Sequence, residues 1–296
     1  MKSHLRSIGL AALAGIASLF ASGHAQAATV AYHGLCYPGD PEAEIIAAGH
    51  TPLALSSAPN AANLAGVSIL WAENCGTLTD PGVAQAVANG MVLIVHDSSY
   101  TNGAFLPGGP NLVQNASGGT NIDFTASAPF LIGPGGTLTN TSLDNGSWSN
   151  HGAVSPASLP SGSAIWATTT DPGQVVTFAY GYGAGQVIYS TIPLQCYLGS
   201  QCAGVTAAVP GMKAYATNLI ACTLDGECAV APPPPVTTCA SEGYTGTKLT
   251  WCQNICEKGY TGATLDMWIH RWINRYRDLP YCAKEGNEEP VPQLQR

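Results

Sequence analysis

Basic residues are almost missing from most of this chain. Between Ala28 and Ala231 there is one lysine, Lys213, and no arginine, against eleven acidic residues. A nucleic-acid partner is excluded for this stretch, because holding phosphates needs cations, and an anionic membrane surface is disfavoured for the same reason. Neutral small molecules or glycans, and cations such as calcium, stay open. Past Phe20 no apolar run is long enough to cross a bilayer, so no membrane span is expected. The CxxC spacing of zinc ribbons is also missing from the ten cysteines: Cys252 and Cys256 are four apart, which suits one face of a helix rather than a metal knuckle. No cofactor and no resident metal are expected.

The N-terminus carries a targeting pattern. Residues 1–27 read as a signal peptide, with Lys2 and Arg6 as the positive start, Ile8 to Phe20 as the apolar run and Ala25-Gln26-Ala27 as a small-x-small cleavage site. A mature chain starting near Ala28 is secreted or periplasmic, a compartment that favours disulfides over free thiols. Ala231 is followed by four prolines, a polyproline II spacer, and residues 231–238 are expected to link two units. The first, 28–230, is large enough for its own core. The second, 239–296, is small enough to need staples and carries four cysteines, with a disordered tail expected after about residue 284.

In the large unit strands and helices alternate. Thr29 to Leu35, Thr51 to Leu55, Val67 to Trp71 and Met91 to Val95 read as strands, the last buried on both faces. Between them lie helical segments at Pro41 to Ala48 and Asn60 to Leu64. A third opens at Thr79-Asp80-Pro81, with a cap and a first-turn proline, and stops at Asn89-Gly90. This repeat predicts a mainly parallel sheet with helices on both faces. Asn102 to Gly119 reads as a loop, and His151 falls in an exposed Ser/Asn/Gly loop. Ile165 to Thr169, Val175 to Tyr180 and Gln186 to Thr191 read as strands joined by tight turns, followed by a closing helix over Lys213 to Ala221.

The stretch GVSILWAENCGTLTDPGVAQAVANGMVLIVHDSS, with GYGAGQVIYSTIP and YATNLIA further on, resembles the class I glutamine-amidotransferase-like superfamily, nearest its trehalose-utilisation-type branch, over residues 28–222. The resemblance implies a flavodoxin-like sheet with strand order 2-1-3-4 and a ligand crevice at the carboxyl ends of the strands. There the rim would collect His33, Trp71 to Cys75, and His96 to Ser99. Amidotransferases of this fold place a cysteine nucleophile in a G-x-C-x-G elbow. Here that position reads Val95-His96-Asp97-Ser98-Ser99, and Tyr189 to Pro193 brings no histidine where a base is expected. Cys36 and Cys75 follow adjacent strands and are expected to bond to each other, which removes them as nucleophiles.

Three readings of the rim remain. A serine hydrolase would use Ser98 or Ser99 with His33 or His96, but no elbow glycine exposes the nucleophile. A metal site would use His33 and His96 with Glu73 or Asp97, although no local spacing supports it. In the third, His96 and Asp97 hydrogen-bond to nearby loop backbone and shape a crevice without chemistry. The leading expectation is therefore an exported, non-catalytic interaction protein for a ligand or surface, carbohydrate among them. The alternative is an extracellular hydrolase of a neutral substrate working through His33, Glu73, His96, Asp97 and Ser98.

Other cysteines read as structural. Cys196 with Cys202, and Cys222 with Cys228, can close short loops, although crossed pairings such as Cys196 with Cys228 stay open. Cys239, Cys252, Cys256 and Cys282 are expected to pair among themselves and staple two helices, Leu249 to Lys258 and Thr264 to Leu279, with Thr264 as a cap. Leu265, Trp268, Ile269, Trp272, Ile273 and Tyr276 fall on one stripe of the second helix, with Arg271 and Arg275 off it. Core packing accounts for the tryptophans most simply. The other reading is a surface formed by Trp268, Arg271, Trp272 and Arg275 that meets a wall polymer or another cell-surface partner.

Overall fold

The structure, a computed structural model, describes residues 27–34, 39–73, 78–97, 103–199, 207–231, 238–276 and 278–284. Residues 1–26 of the expected signal peptide, Cys36, Cys75, Ser98, Ser99, Cys202, the prolines at 232–235, Arg277 and the tail from 285 lie outside the described residues.

The first strands and helices are β1 (Thr29–His33), α1 (Glu42–Ala47), β2 (Thr51–Ala54), β3 (Ile69–Glu73), α2 (Pro81–Ala88) and β4 (Val92–His96). A β-rich stretch follows: β5 (Gln114–Gly119), β6 (Asp123–Phe124), β7 (Ile132–Gly133), β8 (Gly136–Thr137), β9 (Asn150–Val154), β10 (Ala164–Thr168), β11 (Val175–Tyr182) and β12 (Gly185–Ser190). Helices complete the chain: α3 (Leu194–Leu198), α4 (Val209–Leu224), α5 (Gly246–Cys256), α6 (Gly262–Tyr276) and α7 (Tyr281–Lys284).

The main sheet runs β2-β1-β3-β4-β12-β11-β10-β6. Its first five strands are parallel neighbours. From β12 onward the pairing is antiparallel, and β9 joins β11 to β5 at one side. The hairpin between β11 and β12 closes through Gly183 and Ala184, and Gly183 takes a φ of 60°, a conformation that favours glycine at the first position of so short a turn.

The strands are apolar throughout because both faces of the sheet are covered. Alternation assigns Val30, Tyr32, Ile69, Trp71, Ile94 and Ile188 to one core, where Ile45 of α1 and Met212, Tyr215 and Leu219 of α4 pack. Ala31, Leu70, Ala72, Leu93, Val95, Val187 and Tyr189 enter a second core with Val83 and Val87 of α2. Helix α2 starts as its sequence suggests: the Asp80 carboxylate accepts from the Gly82 N–H at 2.7 Å, and Pro81 opens the first turn. It stops at Asn89, with Gly90 at a φ of 116°.

Several expectations are corrected. Asn60 to Leu64 forms turns instead of a helix. The Asn60 side chain accepts from the Ala62 and Asn63 N–H groups while Asn63 accepts from the Asn60 N–H, so side-chain bonds take the place of a helical ladder. Strand β3 begins at Ile69 and runs on to Glu73, which is therefore a strand residue. The loop after Tyr100 ends in β5, and His151 is half-buried in β9, where its backbone N–H donates to Thr191 O at 2.9 Å. Helix α6 begins at Gly262, so Thr264 lies inside it and does not cap it.

Cys222 bonds to Cys228, Cys239 to Cys252, and Cys256 to Cys282. Cys196 is disulfide-bonded with its partner outside the described residues. A third, separate core consists of Cys239, Cys252, Ile255 and Trp272, ringed by half-buried aromatics of α5 and α6. Among the described residues no helix is long and apolar enough to cross a membrane.

Candidate functional site

The parallel strands end in a row of polar residues. In register, Glu73 of β3 lies beside His96 of β4, His96 beside Ser190 of β12, and Ser190 opposite Thr177 of β11. By the alternation above, Glu73, His96 and Ser190 continue the face that holds Trp71, Ile94 and Ile188. The Ser190 and Thr177 hydroxyls are 2.9 Å apart. His33 and Asp97 continue the other face.

The four rim residues singled out in the sequence are thus all at carboxyl ends of adjacent strands, split between the two sides of the sheet. His33 is half-buried, with Nδ1 3.5 Å from Leu55 O. Asp97 is fully buried: its N–H donates to Ser190 O at 2.7 Å, and its Oδ2 accepts from the Tyr189 hydroxyl at 2.8 Å. The backbone bond continues the sheet ladder to β12, and the His96 ring, without a hydrogen-bond partner, does not hold loop backbone as the third reading of the rim expected. The side-chain bond ties Asp97 to the second core, away from His96. Ser98 lies outside the described residues.

Glu73 and His96 are 1% and 0% exposed. The His96 ring stacks on Trp71, with centroids 4.6 Å apart and planes at 26°, and meets the Tyr215 ring of α4 edge-on at 5.9 Å. Trp71 Nε1–H donates to Glu73 Oε1 at 3.1 Å. Glu73 Oε2, both His96 ring nitrogens and the Tyr215 oxygen are buried without a hydrogen-bond partner. The Tyr215 hydroxyl lies toward those of Thr177 and Ser190 without meeting either at bonding geometry. Unpaired buried polar atoms are rare in folded proteins, and this many together mark the region as unusual.

Burial sets the protonation of this group. It pushes the Glu73 carboxyl well above the usual carboxylate range, opposed by the Trp71 hydrogen bond and reinforced by the Asp97 carboxylate. It pushes the His96 imidazole down to about 3 and the Tyr215 phenol up to about 12. At neutral pH the imidazole carries no charge and the carboxyl is biased toward its neutral form.

Sequence reasoning missed Tyr215, Ser190 and Thr177. A polar Ser190 closing the apolar run Val187 to Tyr189 was the one local signal. Tyr215 reads as ordinary core in an apolar helix. The two-histidine metal set does not assemble, because His33 and His96 belong to opposite faces. Among the described residues the trio close enough to hold an ion is Cys239, Cys252 and Cys256, all of them in disulfides. At the opposite, amino edge of the sheet lies an open cleft of about 630 Å³, lined by Leu64, Val67, Ser68, Gln85, Asn89 and Met91 among others, with no charged residue in its wall.

No family model matches this chain, and no curated protein matches it. Solved structures match in part. A protein described as a candidate GMP synthase subunit, from Thermoplasma acidophilum, is 12% identical with a TM-score of 0.41, over 66% of this chain and 95% of its own. PurLQS from Thermotoga maritima is 10% identical with a TM-score of 0.35, over 65% and 97%. A β-galactosidase from Bacillus circulans sp. alkalophilus is 11% identical with a TM-score of 0.39, over 70% of this chain and 32% of its own. At these identities and TM-scores none of the three bears on activity.

Proposed function

We propose that this chain is an exported interaction protein of two modules. A catalytically silent α/β domain of flavodoxin-like, amidotransferase-like type, over 28–230, is joined by the proline-rich linker 231–238 to the stapled helical module 239–296. The observation that carries this reading is the burial of the carboxyl edge. Glu73, His96 and Asp97 are closed off from solvent, His96 stays uncharged, and the position of the amidotransferase cysteine is held by Asp97. A general base must reach a substrate proton, and none of these groups is exposed to do so. The domain's ligand would be neutral, since its single lysine, Lys213, lies 4.0 Å from Glu44 and no other Lys or Arg is present to hold an anion. The uncharged cleft at the amino edge fits a small molecule or glycan of that kind. Export rests on the N-terminal pattern, and the disulfides are compatible with it.

A second reading, an extracellular hydrolase, is favoured by the unpaired atoms of Glu73, His96 and Tyr215, which would suit a polar guest. One screen separates the two. The oxidised protein is assayed against neutral esters, amides and glycosides beside His96→Ala and Asp97→Ala, with circular dichroism confirming each fold. We expect no turnover above the variants. An activity present in the parent and lost in a folded His96→Ala protein would sink the non-catalytic reading.

A further inference from the structure

One flank of α6 carries chemistry that the α/β domain lacks. The Arg271 guanidinium lies 4.9 Å over the Trp268 ring, and that of Arg275 lies 5.7 Å over Trp251 and 5.8 Å from the Tyr276 ring. Trp251 and Trp268 are half-buried, with ring centroids 6.3 Å apart, and both arginines are exposed. A guanidinium held over a ring by its charge still has N–H donors of its fork to offer a ligand. Among the described residues neither arginine forms an ion pair: the two pairs present are Lys213 with Glu44 and Lys248 with Asp278. Lys248 is spent in addition on the rings of Tyr244, Tyr276 and Trp272.

Arg271 and Arg275 are one helical turn apart on the same face, so their forks can meet successive anionic groups along one ligand. Met267, 40% exposed, and the half-buried Trp268 extend an apolar border beside Arg271. Trp272, by contrast, is no part of this surface. It is 0% exposed, and its Nε1–H donates to Asp278 O at 2.7 Å, which makes it the centre of the module's core and corrects its place in the expected binding set.

We propose that this Arg271–Trp268–Arg275–Trp251 flank binds a carboxylated polysaccharide, an inference that rests on the interaction reading above and names the partner of its second module. Carboxylates match the guanidinium fork bidentately, and the apolar face of a sugar ring matches the Met267 and Trp268 border. The charge on the ligand must be sparse. Residues 28–231, with eleven acids against Lys213, would repel a dense polyanion such as nucleic acid. A lipid surface would need a continuous apolar face to enter it, and the exposed apolar residues of α6, Met267 and Ile273, point to different sides of the helix.

Calorimetry on the full oxidised chain tests this with partly methyl-esterified polygalacturonate, whose free carboxylates are sparse, its fully methyl-esterified form, phosphatidylglycerol vesicles and single-stranded DNA as probes. The partly esterified polymer is expected to bind and the fully esterified one to fail. The Arg271→Gln/Arg275→Gln protein is expected to lose about tenfold in affinity or more with its melting temperature kept. Arg271→Lys/Arg275→Lys should recover part of that loss, since ammonium groups keep the charge without the fork. No binding of the partly esterified polymer, equal binding of the fully esterified one, an unchanged affinity in the glutamine variant, or preference for vesicles or DNA would each overturn the proposal. Binding of neutral glycans alone, untouched by the arginine variants, would remove this inference and leave the interaction reading standing. Turnover that depends on His96 would remove that reading and leave the arginine site standing.

Discussion

Reducing Cys239–Cys252 and Cys256–Cys282 is expected to unfold α5 and α6 while the main sheet keeps its structure. Among the described residues this third core has four buried hydrophobic members, Cys239, Cys252, Ile255 and Trp272, and two of the four are bonded cysteines. So small a core supplies little burial against the entropy of ordering two helices. The bonds close loops of 13 and 26 residues. Loop-closure entropy makes each worth about 3 kcal/mol, so the pair together rivals the whole stability of a small unit. Indole NMR signals report it directly: those of Trp251, Trp268 and Trp272 should collapse to unfolded positions under reductant, and those of Trp71 and Trp166 should persist. Cys256→Ser/Cys282→Ser should show the same selective loss. Native indole signals from all three C-terminal tryptophans in fully reduced protein would show that packing alone holds the module.

Trp71→Ala should be among the most damaging single changes in the α/β domain. Trp71 is 0% exposed in the first core, carries the His96 ring on its face and gives Glu73 its hydrogen bond. Truncating a buried tryptophan costs about 3–5 kcal/mol. Here it also leaves the Glu73 carboxyl without any partner in a dry environment, about 1–3 kcal/mol more. Trp71→Phe keeps a ring under His96 and loses the donor, so it should fall between the two, and Trp71→Phe/Glu73→Leu should recover part of the difference. Urea midpoints read all three. A loss under about 1 kcal/mol for Trp71→Ala would mean that the strand end is open to water and that the polar row is solvated.

The parts of the fold that the sequence made legible are those with strong local causes. Continuous apolar runs gave β3 and β4, the Asp80-Pro81 start and Asn89-Gly90 stop gave α2, and regular alternation pointed to a mainly parallel sheet, while the 2-1-3-4 order of its first strands came only as what the resemblance implied. The misses share a physical reason. Asn60 to Leu64 has helical composition, but its asparagines bond to nearby backbone. Strands β5 to β9 are short and rich in glycine, serine and asparagine, so nothing local marks them, and they exist because neighbouring strands offer them hydrogen bonds. For the candidate site, reading residues near strand ends found Glu73, His96 and Asp97. It could not see which face each takes, because one residue at the end of a strand switches sides. His33 and Asp97 were grouped with Glu73 and His96 for that reason, and Tyr215, distant in sequence, was left out.

Whether the carboxyl edge is a closed core or a working centre turns on one imidazole. His96 has its pKa lowered from 6.5 to about 3, so the folded state loses stability as pH falls from 6.5 toward 3, where the unfolded chain takes a proton that the fold refuses. Glu73 acts in the opposite sense. Its pKa is raised above 4.5, so its contribution is complete below that value and is lost as pH rises through the folded value. Above 4.5 the two slopes oppose each other, and below 4.5 only the acid loss from His96 remains. The direct measurement is an NMR titration of the His96 ring nitrogens in the folded, oxidised protein, assigned by comparison with His96→Phe. A ring that stays neutral down to about pH 4, with its pKa near 3, is the result predicted for a closed, non-catalytic edge. A ring that titrates near 6.5 in the intact fold would place His96 in contact with water and contradict it.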